Sequence, residues 1–143
     1  TKTMKKTAVI YWSGTGNTEA MANAVAEGMK EAGAEVTVMT ADQVDANALS
    51  YSAIAFGCPA MGSEVLEEVD FQPMFDSCKN RLGGTSVALF GSYGWGDGEW
   101  MRSWEKDCSD AGVNLVCESV TCCEAPDDAA LTACRELGKT LAK

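Results

Sequence analysis

Short apolar runs alternate with longer amphipathic ones along the chain. Thr7 to Trp12 is a continuous apolar run that ends in Ser13-Gly14, the pattern of a strand buried on both faces. Asn17 to Ala32 then carries Met21, Val25, Met29 and Ala32 at helical spacing, and Gly33 stops it. Glu35 to Met39 and Ala53 to Cys58 read as the second and third strands. Val65 to Asn80 has a helical pattern broken near Pro73, and Ser86 to Gly91 is a fourth strand. Glu99 to Ala111 sets Trp100, Trp104, Cys108 and Ala111 on one helical face. Asn114 to Val120 is a fifth strand, and Asp127 to Lys143 a last helix with Ala130, Cys134, Leu137 and Leu141 inward.

Five buried strands alternating with helices predict an α/β fold, a five-stranded parallel sheet covered on both faces. The chain of 143 residues reads as one domain, 1–143, with no repeat, low-complexity tract or linker. In such sheets ligands bind beyond the carboxyl ends of the strands, where the strand order reverses. The loops after the first, third and fourth strands are therefore where chemistry is expected, and they are the glycine-rich ones.

The first loop is Ser13-Gly14-Thr15-Gly16-Asn17-Thr18. Its glycines allow a tight turn, its hydroxyls and amide supply neutral donors, and the helix start behind it adds partial positive charge. That composition fits a single phosphate better than a plain capped turn, and the loop contains no Lys or Arg and is not the Gly-x4-Gly-Lys-[Ser/Thr] pattern of a triphosphate loop. The second loop, Gly57 to Glu64, contains Pro59, Ala60, Met61, Gly62 and Ser63. Met61 is an apolar residue beside a conformationally free glycine, and Glu64 is a carboxylate suited to a ring N–H. The alternative for this segment is a helix cap, with Ser63 as the capping residue. The third loop, Gly91 to Gly98, surrounds Tyr93 and Trp95 with Gly94 and Gly96. A large aromatic on a glycine loop invites a flat partner, and Ser92 adds a hydroxyl. A planar heteroaromatic joined by a chain to one phosphate uses all three loops, and that description is flavin mononucleotide (FMN).

Charge and composition narrow the classes. Lys and Arg total 11 and Asp and Glu total 21, a formal charge of −10, which argues against nucleic acid and membrane surfaces. The chain has no histidine, so Ser-His-Asp and Cys-His mechanisms and most zinc sites are excluded. No apolar run approaches the roughly 18 residues of a membrane span. The apolar stretch Ala8 to Trp12 is too short for a signal peptide, so the chain reads as cytoplasmic. Seven cysteines without a Cys-x-x-Cys pair read as reduced small hydrophobes rather than a disulfide or metal framework.

The phosphate loop, Ala60-Met61-Gly62 with Glu64-Val-Leu-Glu-Glu68, and Gly91-Ser-Tyr-Gly-Trp-Gly96 together resemble a flavodoxin of the short-chain, clostridial type over nearly the whole chain. The resemblance implies a doubly wound sheet of order 2-1-3-4-5, a known property of the family along with FMN at the switch point. It implies a low-potential one-electron carrier, not an enzyme, shuttling between redox enzymes through the semiquinone and hydroquinone of non-covalent FMN. Ser13, Thr15, Gly16, Asn17 and Thr18 would then hold the phosphate, with Ser92 nearby. Trp95 and Met61 would cover the two ring faces, Gly94 and Gly96 would offer N–H groups, and Glu64 would accept from the ring imide. Pro59, Ser63 and Glu124 depart from the residues common in the family. The Gly62-Ser63 peptide would turn over on reduction, because Gly62 visits positive φ at little cost. Glu64, Glu67, Glu68, Asp70, Asp97 and Glu99 would form an acidic rim that disfavours the anionic ring. The same rim would steer a monomer to basic docking patches on reductases and ferredoxin-dependent enzymes.

A flavin-dependent quinone reductase on the same fold is the alternative enzyme, but it needs substrate room over a ring that Trp95 and Met61 cover. A phosphoryl-accepting domain needs aspartates after the first strand, and a small phosphatase needs Cys-x5-Arg in the first loop. The sequence has neither.

Overall fold

A computed structural model describes residues 5–14, 16–45, 49–61, 65–94 and 98–143. Among the described residues six strands form one sheet: β1 (Lys6–Tyr11), β2 (Glu35–Thr40), β3 (Ala53–Gly57), β4 (Ser86–Tyr93), β5 (Asn114–Leu115) and β6 (Val120–Cys123). Four helices connect them: α1 (Asn17–Glu31), α2 (Phe71–Cys78), α3 (Glu99–Asp110) and α4 (Asp128–Ala142). All pairings are parallel. The order is β2-β1-β3-β4-β5, with β6 also on β4. The order reverses between β1 and β3, so their carboxyl ends diverge into loops that run to opposite sides.

Alternation of side chains along each strand divides the core into two layers. Ala8, Ile10, Ile54, Phe56, Val87 and Leu89 face α2 and α3, where Phe71, Phe75, Trp100 and Trp104 pack. Val9, Tyr11, Ala53, Ala55, Ala88 and Phe90 face α1 and α4, where Met21, Val25, Met29, Cys134, Leu137 and Leu141 pack. On the second side the helices touch backbone to backbone. A Cβ on Gly28 would lie 2.0 Å from the Arg135 carbonyl oxygen, and one on Gly138 would lie 2.1 Å from that of Val25.

Four features differ from the sequence reading. The fifth strand is two short strands, β5 on the first half of β4 and β6 on its second half. β2 is an edge strand and largely exposed, not buried on both faces. The helix expected over Val65 to Asn80 is limited to Phe71–Cys78, with Pro73 in its first turn, where a missing N–H costs nothing. Ala32 is exposed at the end of α1, and the chain turns at Gly33 (φ 88°) to bury Ala34 instead.

Candidate functional site

β1, β3 and β4 end together, and the loops that leave them enclose a cleft of about 570 Å³. Trp12, Gly14 and Asn17 line it from the first loop; Pro59, Ala60 and Met61 from the second; Ser92, Tyr93 and Gly94 from the third. A fourth segment after β6 adds Glu124 and Ala125. Its size falls in the range of small-molecule sites. Among the described residues no lysine or arginine lines it. Backbone bonds fix the loops to one another: the Trp12 N–H donates to Gly57 O at 3.0 Å, and the Ala60 N–H to Ser92 O at 3.0 Å.

The first loop is shaped by Gly16, which caps α1 in the left-handed conformation (φ 94°) that glycine adopts without steric penalty. The Gly16 N–H donates to Ser13 Oγ at 3.0 Å, so the Ser13 side chain braces the turn and does not line the cleft. Among the described residues no side chain caps α1. The Thr18 hydroxyl is buried and has no hydrogen-bond partner. A buried hydroxyl without a partner is rare and costly. A bound anion at a helix start satisfies such a donor together with the helix N–H groups. α4 shows the ordinary arrangement, with the Asp127 carboxylate accepting the Ala130 N–H at 2.8 Å.

The second loop starts at Cys58 and ends at Glu67, both buried. The Met61 N–H donates to Val65 O at 3.0 Å, and Met61 is half-buried against the cleft. Glu67 was expected on an acidic rim, but it is 5% exposed. Its carboxylate accepts the N–H groups of Val69 (2.8 Å), Asp70 (2.7 Å) and Phe71 (2.8 Å). Burial raises its pKa, and the three N–H bonds more than offset that and hold it below the usual carboxylate range. Sequence alone gives a carboxylate in this position no sign of burial; the Pro73 three residues into the helix marks the start it caps. Glu68, Asp70 and Glu99 are exposed as expected.

In the third loop, Ser92 is 4% exposed, and its hydroxyl donates to the Glu124 carbonyl at 2.8 Å. Glu124 also donates its N–H to Tyr93 O at 2.7 Å, and these two bonds hold it at φ 58°. That left-handed conformation suits Asn better than Glu. Trp100 lies under the loop, its indole N–H donating to Cys58 O at 3.1 Å. The cleft therefore gathers Gly14, Asn17, Pro59, Ala60, Met61, Ser92, Tyr93 and Gly94 from the expected set, while Gly16 and Thr18, on either side of Asn17 in the chain, do not line it. Thr15, Gly62, Ser63, Glu64, Trp95 and Gly96 lie outside the described residues, as does Asp97. Trp12 and Ala125 were not foreseen as lining residues. Trp12 reads in sequence as the end of a strand, and it is the first residue past it.

The flavodoxin family model matches residues 9–138. The chain belongs to the flavodoxin family. It is 44% identical to a flavodoxin of Megasphaera elsdenii over 94% of this chain and 97% of that one. It is 42% identical to a flavodoxin of Clostridium beijerinckii over the same shares. The solution structure of two-electron reduced Megasphaera elsdenii flavodoxin superposes with a TM-score of 0.87 at 43% identity, covering 95% of this chain and 98% of that chain. As a flavodoxin the protein is a small FMN-binding electron carrier and not an enzyme, and its sheet order is that of the family. The cleft fits FMN on this chain's own features: its volume, and the unsatisfied Thr18 hydroxyl at the start of α1, where no described side chain caps the helix. Flavodoxins act with redox partners, and among the described residues no helix is long and apolar enough to cross a membrane.

The cysteines are all free, and Cys58, Cys78, Cys108 and Cys134 are buried as small hydrophobes. Cys117 and Cys122 are half-buried, and Cys123 is exposed, a departure from the expected core role. Among the described residues no cluster of His, Cys, Asp or Glu is placed to hold a metal.

Proposed function

We propose that FMN lies across this cleft with its phosphate in the Ser13–Thr18 loop and its ring over Met61. The observation that carries this reading is the buried, unpartnered Thr18 hydroxyl at the uncapped start of α1. FMN supplies one-electron chemistry when bound. The chain's residues do the rest. Gly14, Gly16, Asn17 and Thr18 present neutral donors and the helix dipole to the phosphate, with Ser13 holding the turn and Thr15 completing the set. Pro59, Ala60 and Met61 form one wall, and Ser92, Tyr93 and Gly94 the other. For Gly62, Ser63, Glu64, Trp95 and Gly96 the proposed ring contacts rest on the family resemblance. Residues 1–143 act as one unit.

The formal charge of −10, with Glu68, Asp70 and Glu99 exposed near these loops, supports docking to basic patches on redox proteins such as reductases and ferredoxin-dependent enzymes. The carrier works as a monomer in the cytoplasm. Reconstitution with FMN followed by stepwise photoreduction tests the reading. One FMN per chain and two resolved one-electron steps are expected. A protein that takes no FMN, or that sustains NADH oxidation with a quinone, overturns it.

A further inference from the structure

Two buried residues at the base of the second loop are not accounted for by contact with FMN. Cys58, fully buried, uses its thiol in two directions: Sγ donates to the Pro59 carbonyl at 3.5 Å and accepts the Glu67 N–H at 3.4 Å. One sulfur thus ties the first residue of the loop to the residue that ends it. Each such bond is weak alone. Both anchors, however, are immobilised from behind. The Cys58 N–H donates to Phe90 O at 3.2 Å, and its carbonyl accepts the Trp100 indole. The same carbonyl approaches Gly91 so closely that a Cβ there would stand 2.2 Å away. Glu67 is fastened to α2 by three N–H bonds to its carboxylate, and by the Gln72 N–H on its carbonyl at 2.8 Å.

A buried carboxylate is costly to desolvate, and an exposed Ser, Thr or Asp caps a helix without that cost. What the buried group adds is a fixed point. Between the two anchors the Met61 N–H donates to the Val65 carbonyl at 3.0 Å, which ties Met61 to the Glu67 side, while Pro59 and Ala60 tie it to Cys58.

We infer that Cys58 and Glu67 form a clip that sets the position from which Met61 meets FMN, making both positioning residues for the redox chemistry of the ring. The inference rests on the reading above that Met61 faces the ring. Reduction changes the charge and proton content of the ring, so contacts held rigidly favour one redox state over the other. The ratio of FMN affinities in the two states then depends on the clip.

The test uses the full chain loaded with FMN. FMN dissociation constants in the oxidised and reduced states, midpoint potentials and melting temperatures are measured for Cys58→Ala, Cys58→Ser, Glu67→Gln and Cys78→Ala. Cys78 is buried at the far end of α2, away from the loop, and serves as a control for loss of stability alone. Cys58→Ala is expected to change the affinity ratio about tenfold, equivalent to about 59 mV for a one-electron couple. Cys58→Ser restores most of it, because its hydroxyl still accepts the Glu67 N–H. Glu67→Gln shifts the ratio at least as far, since it also removes a charge, and Cys78→Ala lowers the melting temperature and leaves the ratio unchanged. A Cys58→Ala protein that melts lower but keeps the wild-type ratio overturns the clip, as does a Cys78→Ala shift of equal size. Should Glu67→Gln fail to fold, the cysteine pair still decides. Wild-type protein that takes no FMN defeats the cleft assignment instead, a result distinct from normal binding with unshifted Cys58→Ala.

Discussion

The two faces of the sheet are built from opposite materials. Towards α1 and α4 the strands present Ala53, Ala55 and Ala88, and the two helices meet through Gly28 and Gly138 with main chain against main chain. Towards α2 and α3 the contact is aromatic: Phe75 meets Phe56 and Trp104 edge-on at centroid distances of 5.2 and 5.6 Å. The helix starts differ in the same sense. Among the described residues α1 begins without a side-chain cap, whereas the buried Glu67 carboxylate takes up the N–H groups of Val69, Asp70 and Phe71, leading into the first residue of α2. The glycine face fixes α1, whose N-terminus is the proposed phosphate end of the cleft. The aromatic face lies beneath the loops proposed to hold the ring. Close backbone packing gives a frame with little freedom to adjust, whereas rings on a smooth surface are held by many small contacts and by the clip at their edge.

Four measurements break or sharpen this contrast. Phe75→Ala removes a fully buried ring from the aromatic face and is expected to cost about 3–5 kcal/mol in chemical denaturation. Gly28→Ala adds a single carbon to the other face, where it meets the Arg135 carbonyl, and is expected to cost about 3 kcal/mol. Full stability in that variant would show that α1 and α4 slide apart freely and that the contrast is false. Third, Glu67 has a folded pKa below its ordinary 4.5, so its stabilisation is complete above that pH and is lost as pH falls through the lower folded value. Thermal melts at decreasing pH should therefore fall more steeply for wild type than for Glu67→Gln; parallel curves would show that the carboxylate does not hold α2. The smallest effect is expected at Thr18. Without FMN, Thr18→Val should be neutral or stabilising by up to about 1 kcal/mol, because an unsatisfied buried hydroxyl is removed. With FMN the sign reverses, and binding weakens. A variant that binds FMN as tightly as wild type would separate the hydroxyl from the phosphate.

Much of this frame was legible in the residues. The inner faces of α3 and α4 followed from Trp100, Trp104 and Cys108 and from Ala130, Cys134, Leu137 and Leu141, because amphipathic spacing reports burial directly. The three loops at the carboxyl ends of β1, β3 and β4 followed from their glycines. What escaped was whatever depends on partners distant in sequence. Val116 to Ser119 continues the strand pattern, yet β4 is paired in two separate stretches, by β5 and by β6. Glu67 has the sequence neighbours of a surface carboxylate, and only the turn of three N–H groups onto it explains its burial. The helical spacing before Phe71 is real, but Glu67 and Pro73 place the first turn later.

The distribution of thiols has a practical side. Burial pushes Cys58, Cys108 and Cys134 up to about 12 and Cys78 to about 11, and it raises Cys117 and Cys122 as well. Alkylating reagents attack the thiolate, so these six sulfurs react sluggishly in the folded protein. Cys123 stands exposed one residue before Glu124, at the border of the cleft. A fluorophore or spin label added at one equivalent goes there first, and the unaltered chain thus carries its own attachment point for watching the cleft fill and empty.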